Sequence, residues 1–174
     1  MMDSLSVLVL RPLPDLNKKI VLWNIRGRNG DEFILHALEI ISKHKPTIFI
    51  FLTKADELRG RQIQYRLGFQ NFRYINPHGK PGGVWLFWQS IVNIVLFNDG
   101  NVDFFHALFH FIPDQPEVLL TGLHAMSSRI LRAHFWRGMQ DNLPPLATPW
   151  LVMGDMNEVT NQGEKKGGRT FRHA

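Results

Sequence analysis

The chain has no cysteine among its 174 residues. This absence excludes a disulfide scaffold, a thiolate zinc site and a cysteine nucleophile, and it fits a reducing compartment. The sequence also lacks an apolar run approaching the ~20 residues that a membrane-spanning helix needs. We therefore expect no membrane association.

The first 18 residues lack the features of a secretory signal. Ser4–Leu10 is apolar, but Asp3 precedes it where a signal peptide carries basic residues. Arg-Pro-Leu-Pro follows it where a signal peptide has a cleavage site between small residues. We predict a flexible leader over residues 1–18 and an intracellular location, the nucleus included.

The composition is that of one globular domain. Hydrophobic residues make up 44% and charged residues 20% of the chain, which argues against wholesale disorder. The net charge of +5 and the pI near 9.8 are compatible with a polyanionic partner such as nucleic acid, although many ordinary proteins share this balance.

Apolar runs and turn residues predict a mixture of strands and helices. Lys19–Ile25 and Thr47–Leu52 are short, β-favouring runs that predict buried strands. Asp31 is a candidate cap for a helix over residues 33–41, and a second helix is predicted from Asp56 to Leu67. Further strands are predicted over residues 72–75, 83–88, 91–97, 104–111, 118–123 and 150–153, with a helix capped at Ser127 or Ser128 and ending at Met139. This order predicts packed sheets covered by outer helices.

Polar side chains follow several of the predicted strands. Asn24 ends the first strand, Thr53 and Lys54 follow the second, and Asp155 and Asn157 follow the last. Each is also an ordinary turn residue, so a solvated turn is the alternative at every position. Carboxylate and amide oxygens gathered at strand ends suit Mg²⁺ and phosphodiester chemistry.

In their order and spacing, five blocks resemble the endonuclease/exonuclease/phosphatase superfamily, and most closely the apurinic-endonuclease-like domain of plant LINE-type (non-LTR) retrotransposons. The blocks are VLWNIRG, IFIFLTKADELRGRQIQYRLGF, PGGVWLFW, LLTGLHA and PWLVMGDMNEV…EKKGGR, within Lys19–Arg169. The resemblance implies an α/β (α+β) fold, a four-layer sandwich of two packed mixed β-sheets flanked by helices. It also implies a domain over residues 19–174 that is incomplete at its C-terminus, and cleavage of DNA with Mg²⁺, or with Mn²⁺ in its place.

The resemblance also implies roles for three residues. Asn24 corresponds to an asparagine that helps to bind the metal, Asp155 to the aspartate that positions the attacking water, and Asn157 to an asparagine that contacts the scissile phosphate. A strand-end turn residue is the structural alternative at Asn24.

The sequence departs from the family pattern at three places. The glutamate expected before Thr53, the main metal carboxylate, is missing as though deleted. Glu57 is a candidate replacement, but helix capping or placement near a helix N-terminus is the favoured interpretation of Asp56 and Glu57. His124 stands where the family often has a phosphate-contacting tyrosine, and we favour a partly buried strand-end histidine. The closing Ser-Asp-His motif does not occur, and His173 is not a credible substitute.

The sequence therefore predicts a retrotransposon-derived, endonuclease-like protein with impaired activity. A non-catalytic nucleic-acid-binding module and a decayed fragment without function are the alternatives. His106 and His110 lie four residues apart, as in a helical zinc site, but the surrounding alternation predicts a strand and the sequence offers no third ligand. Core or surface histidines are therefore expected there.

Overall fold

The computed structural model describes residues 6–9, 18–25, 30–76, 83–97, 104–111, 117–124, 129–141 and 148–156. These residues form nine strands and three helices. In chain order they are β1 (Ser6–Val9), β2 (Ile20–Asn24), α1 (Asp31–His44), β3 (Ile48–Thr53), α2 (Glu57–Leu67), β4 (Asn71–Ile75), β5 (Gly83–Trp88), β6 (Val92–Phe97), β7 (Phe104–Phe111), β8 (Val118–His124), α3 (Arg129–Asp141) and β9 (Trp150–Asp155).

The strands form two mixed sheets. The five-stranded sheet has the order β1-β9-β8-β7-β6, and the four-stranded sheet has the order β2-β3-β5-β4. Each sheet contains one parallel pair, β8 with β9 in the first and β2 with β3 in the second. Because the carboxyl ends of parallel strands lie at the same edge, each sheet presents two such ends side by side.

Three apolar layers hold the sandwich together. The inner layer joins the two sheets through residues such as Leu22, Leu86, Phe109 and Leu151. A second layer packs α1 and α2 against the outer face of the four-stranded sheet, and a third packs α3 against the five-stranded sheet. The arrangement of helix, sheet, sheet and helix confirms the predicted four-layer fold.

Alternation along β7 shows how the sequence encodes these layers. Phe105, Ala107 and Phe109 belong to the inner layer, whereas Phe104 packs on the α3 side. The segment is therefore a strand, as predicted, because successive side chains point to opposite faces of the sheet.

The interpretation of residues 1–18 as a flexible leader was wrong for four of them. Ser6–Val9 forms β1, which pairs antiparallel with β9 at the edge of the five-stranded sheet. An apolar segment beside an otherwise unpaired strand edge satisfies the backbone groups of both strands, and a local sequence pattern does not reveal that edge.

The prediction that Asp31 caps α1 was wrong by one residue. Gly30 occupies the N-cap of α1 without a side-chain bond, and Asp31 is the first helical residue, where its acid pairs with Arg66. The caps predicted at Ser127 and Ser128 lie outside the described residues. Within the described ranges, no helix is long and apolar enough to cross a membrane.

Candidate functional site

Asn24 and Asp155 meet at one edge of the sandwich. Asn24 ends β2 in one sheet and Asp155 ends β9 in the other. The Asn24 Nδ2 donates a hydrogen bond to Asp155 Oδ2 at 3.0 Å, across 131 positions of sequence. The ordered family blocks imply that Asn24, Thr53, Asp155 and His124 converge at one edge of the sandwich, and this bond confirms the convergence of Asn24 and Asp155.

Strand alternation explains why both side chains face the space between the sheets. Leu22 lies two residues before Asn24, and Leu151 and Met153 lie four and two residues before Asp155. These three apolar residues belong to the inner layer. Side chains two residues apart share a face, so each strand ends in a polar group where its apolar inner face reaches the edge. Both residues are half-buried.

Leu52 borders this pair on the four-stranded sheet. It is the register partner of Asn24 in the parallel β2–β3 pair, and it belongs to the inner layer with 3% exposure. The resemblance implies a glutamate immediately before Thr53, and Leu52 occupies that position. An apolar side chain therefore stands beside Asn24 at the position where a second carboxylate is expected.

Thr53 ends β3 at the same edge, but its hydroxyl has a local structural role. Its Oγ1 accepts a hydrogen bond from the Ala55 backbone N–H at 3.0 Å, and the residue is 8% exposed. Phe51, two residues earlier, packs in the outer layer beneath α1 and α2. Alternation thus directs Thr53 away from the face that carries Asn24.

Glu57 interacts within α2. Its Oε1 accepts from Arg61 Nη2 at 2.6 Å in an exposed ion pair spaced four residues along the helix. Asp56 is the N-cap of α2 and accepts from the Arg59 backbone N–H at 2.9 Å. The structural interpretation of these two acids is therefore confirmed for Asp56, and Glu57 has a helical partner of its own.

The Glu57 carboxylate influences Tyr74, which lies at the opposite edge of the four-stranded sheet from Asn24. Burial raises the pKa of the Tyr74 hydroxyl above its usual value, and the nearby carboxylates of Asp56 and Glu57 raise it further. Tyr74 lies on β4, which is the edge strand opposite β2 in the order β2-β3-β5-β4. This placement does not favour Glu57 as a ligand shared with Asn24.

The remaining candidates are placed less fully. His124 is the last residue of β8, and its backbone is the register partner of Asp155, so the two residues end adjacent parallel strands. Asn157 and His173 lie outside the described residues.

The donor set fits a weakly held magnesium ion. Asp155 supplies a carboxylate and Asn24 an amide, both with the oxygen atoms that Mg²⁺ prefers. Among the described residues, no three His, Cys, Asp or Glu side chains come together as a metal-binding group. A cation held by one protein carboxylate has to keep most of its waters, so its affinity depends on substrate phosphate oxygens.

Gly154 is a positioning residue that the sequence interpretation missed. A Cβ at this position would lie 1.9 Å from the Leu123 backbone oxygen, so only glycine allows β9 to approach β8 this closely. The approach occurs one residue before Asp155. The glycine in "MGDMN" was visible in the sequence, but its partner strand was not.

A buried polar cluster lies on the α3 side of the five-stranded sheet and was also missed. Thr121 Oγ1 accepts from Trp150 Nε1 at 2.8 Å and lies 2.7 Å from His106 Nδ1. His106 Nε2 is buried and has no hydrogen-bond partner among the described residues, and desolvation by burial lowers the pKa of His106 to about 4. The histidine is therefore neutral at physiological pH and structural in this position.

Solved structures with this fold include proteins of the endonuclease/exonuclease/phosphatase family. A family protein from Bacteroides thetaiotaomicron aligns with a TM-score of 0.59 and 15% identity over 92% of this chain and 68% of its own. A mannosyl-6-phosphatase from the same organism aligns with a TM-score of 0.60 and 15% identity over 85% of this chain and 68% of its own.

A third similar structure is ANGEL2, a 2′,3′-cyclic phosphatase in complex with adenosine-2′,3′-vanadate. It aligns with a TM-score of 0.55 and 14% identity over 91% of this chain and 58% of its own. No family model matches the chain, and no curated protein matches it. At these identities the similarity establishes the fold.

Proposed function

We propose that the chain is a retrotransposon-derived, endonuclease-like protein that cleaves DNA phosphodiesters with Mg²⁺ at a strongly reduced rate. The observation that supports this most is the 3.0 Å hydrogen bond between Asn24 and Asp155, formed between strand ends of two different sheets. Phosphoester hydrolysis is also the chemistry that the names of the two phosphatases above share. The retrotransposon lineage rests on the five sequence blocks.

In the proposed reaction Asp155 holds the attacking water and accepts its proton. The Asn24 amide fixes the orientation of the Asp155 carboxylate through Nδ2, so that one carboxylate oxygen is held in place before substrate binds. Orientation of this kind lowers the entropic part of the barrier.

Asn24 and Asp155 would hold the metal ion, which supplies a positive charge that stabilises charge developing on the phosphate. Asn157 is proposed to contact the substrate phosphate, and so is His124, whose backbone is the register partner of Asp155. Net positive charge on the chain favours approach of a polyanion.

The low rate follows from Leu52, an apolar residue at the position beside Asn24 where a second carboxylate is expected. Asn24 is neutral and Leu52 is apolar, so Asp155 has to attract the cation and also serve the water. Each missing group that stabilises transition-state charge typically costs about a hundredfold to a thousandfold in rate. We expect weak activity that requires millimolar rather than micromolar Mg²⁺.

Plasmid nicking over a Mg²⁺ titration tests the proposal. We expect slow nicking that rises into the millimolar range and is lost in the Asp155→Ala variant. Glu57→Gln is the matched acidic control, because its partner is Arg61, and it should leave the rate unchanged.

Nicking equal in the chain and in Asp155→Ala would overturn the assignment. Binding of DNA without any cleavage would favour the alternative, a non-catalytic nucleic-acid-binding module, and loss of both activities would favour a decayed fragment. Robust nicking lost in Glu57→Gln would show that Glu57 is a ligand after all.

A further inference from the structure

The outer edge of β9 needs a partner strand. Trp150, Leu151, Val152 and Met153 have exposures of 7% or less, so β9 is apolar on both faces. β8 pairs with one of its edges, and only β1 among the described strands pairs with the other. An unpaired edge on so apolar a strand would promote association with other chains.

Among the described strands, β1 pairs with β9 alone. Its pairing covers four positions, from Ser6 opposite Gly154 to Val9 opposite Leu151. The next strand along the chain, β2, belongs to the other sheet, so β1 has no hairpin partner adjacent in sequence. The ladder with β9 is therefore the pairing that holds Ser6–Val9 in the sheet.

The sequence between β1 and β2 is rich in proline. It contains Pro12 and Pro14 in the sequence RPLPDLNKK. Proline fixes φ and lacks an N–H group, so it favours extended backbone and disfavours continuation of a ladder. Sequence and topology both set Ser6–Val9 apart as a short, apolar, extended segment.

We propose that the outer edge of β9 is a strand-binding site and that Ser6–Val9 is its separable ligand. The site takes an extended, mostly apolar peptide antiparallel to β9, recognised by main-chain hydrogen bonds. The register observed for this pairing places Leu8 opposite Val152 and Ser6 opposite Gly154.

An engineered disulfide tests the docked position in the full chain, which has no cysteine of its own. Leu8 and Val152 are register partners, and directly opposed antiparallel residues are close enough for a disulfide. The Leu8→Cys/Val152→Cys variant should oxidise to a monomeric cross-linked chain on a non-reducing gel. The matched control, Leu8→Cys/Leu151→Cys, is offset by one residue and should stay reduced.

Peptide complementation tests whether the ligand is separable. The chain without residues 1–12 should unfold about 5 °C or more below the full chain, the scale of shift expected when a short strand is lost from a chain of this length. A labelled synthetic peptide of residues 1–12 should bind it and restore the midpoint. In a control peptide with Val7→Pro and Leu8→Pro, at least one backbone N–H that would donate to β9 is lost. This control should bind at least tenfold more weakly than the unmodified peptide.

Three results would overturn the proposal. They are equal cross-linking of the two cysteine pairs, a shortened chain as stable as the full chain with no peptide binding, and equal binding of the two peptides. A disulfide-linked dimer from the Leu8→Cys/Val152→Cys pair would support the site and show that a second copy supplies the strand. If the shortened chain fails to fold, the comparison of the two cysteine pairs in the full chain still tests the proposal. Neither cross-linking nor peptide binding requires catalytic activity.

Discussion

Asn24 and Asp155 link the two sheets of the sandwich through one side-chain hydrogen bond, from Nδ2 to Oδ2 at 3.0 Å. Each residue ends the strand that carries it, and both strands contribute to the apolar layer between the sheets. The contact therefore belongs both to the stability of the sandwich and to the proposed chemistry, and these two roles can be separated by mutation.

The first prediction is an energetic coupling between Asn24 and Asp155. A hydrogen bond to a charged group stabilises a protein by about 1.5–3 kcal/mol, and half-burial places this bond at the lower end. Urea unfolding of Asn24→Ala, Asp155→Ala and the double variant should give a coupling energy of about 1–2 kcal/mol. Additive effects would show that the bond contributes nothing in solution.

The second prediction concerns the approach of β9 to β8. In Gly154→Ala the new Cβ would collide with the Leu123 carbonyl, which is backbone and cannot rotate away. We expect a loss of about 1–3 kcal/mol in the free energy of unfolding, together with a fall in any Asp155-dependent activity.

Gly138→Ala is the control for this change. Among the described residues, no atom outside the local helix lies within 4 Å of the new Cβ, and alanine favours the helix by about 1 kcal/mol over glycine. Unfolding free energies that change equally in the two variants would contradict the steric account of Gly154.

The third prediction is a loss of stability in acid that depends on His106. Burial lowers its pKa in the folded chain to about 4, whereas the ordinary value is 6.5. The unfolded chain therefore binds a proton between these values that the folded chain does not, so stability falls as pH decreases from about 6.5 to about 4. A difference of this size corresponds to about 3 kcal/mol.

Unfolding free energies measured at pH 7, 5.5 and 4 would test this expectation. His106→Leu cannot bind the proton and should flatten the pH dependence, although Trp150 can still donate to Thr121. His36→Gln, at an exposed position of α1, should leave it unchanged. A pH profile of His106→Leu that matches the unmutated chain would contradict the assignment.

The sequence predicted the fold well because the patterns that specify it are local. Period-two alternation in β7 and the apolar runs at β3 and β9 each identify a strand without knowledge of its neighbours. The convergence of Asn24 and Asp155 was predicted from the ordered family blocks, because a polar residue at a strand end is by itself equally typical of a solvated turn. Family resemblance then supplied the order of the layers.

The sequence could not supply relationships that depend on register and tertiary neighbours. Nothing in Ser6–Val9 indicates β9 as its partner, and the buried bond between His106 and Thr121 depends on the β7–β8 register. Leu52 is the most informative case. The sequence suggested a deletion before Thr53, whereas the register shows Leu52 directly beside Asn24.

Substitution of Leu52 tests directly whether the absence of a carboxylate beside Asn24 limits the Asn24–Asp155 site. Leu52→Glu would place an acid beside Asn24, in a buried position where its charge needs a cation. Leu52→Gln has almost the same shape without the charge and serves as the matched control. Far-UV circular dichroism should first show that both variants are folded.

The measurement is Mg²⁺-dependent plasmid nicking by Leu52→Glu and Leu52→Gln, with the thermal midpoint recorded over the same Mg²⁺ titration. We expect Leu52→Glu alone to gain stability with added Mg²⁺, to nick about a hundredfold or more faster than the unmutated chain, and to lose this gain with Asp155→Ala. A folded Leu52→Glu chain that gains neither Mg²⁺-dependent stability nor activity over Leu52→Gln would contradict this expectation.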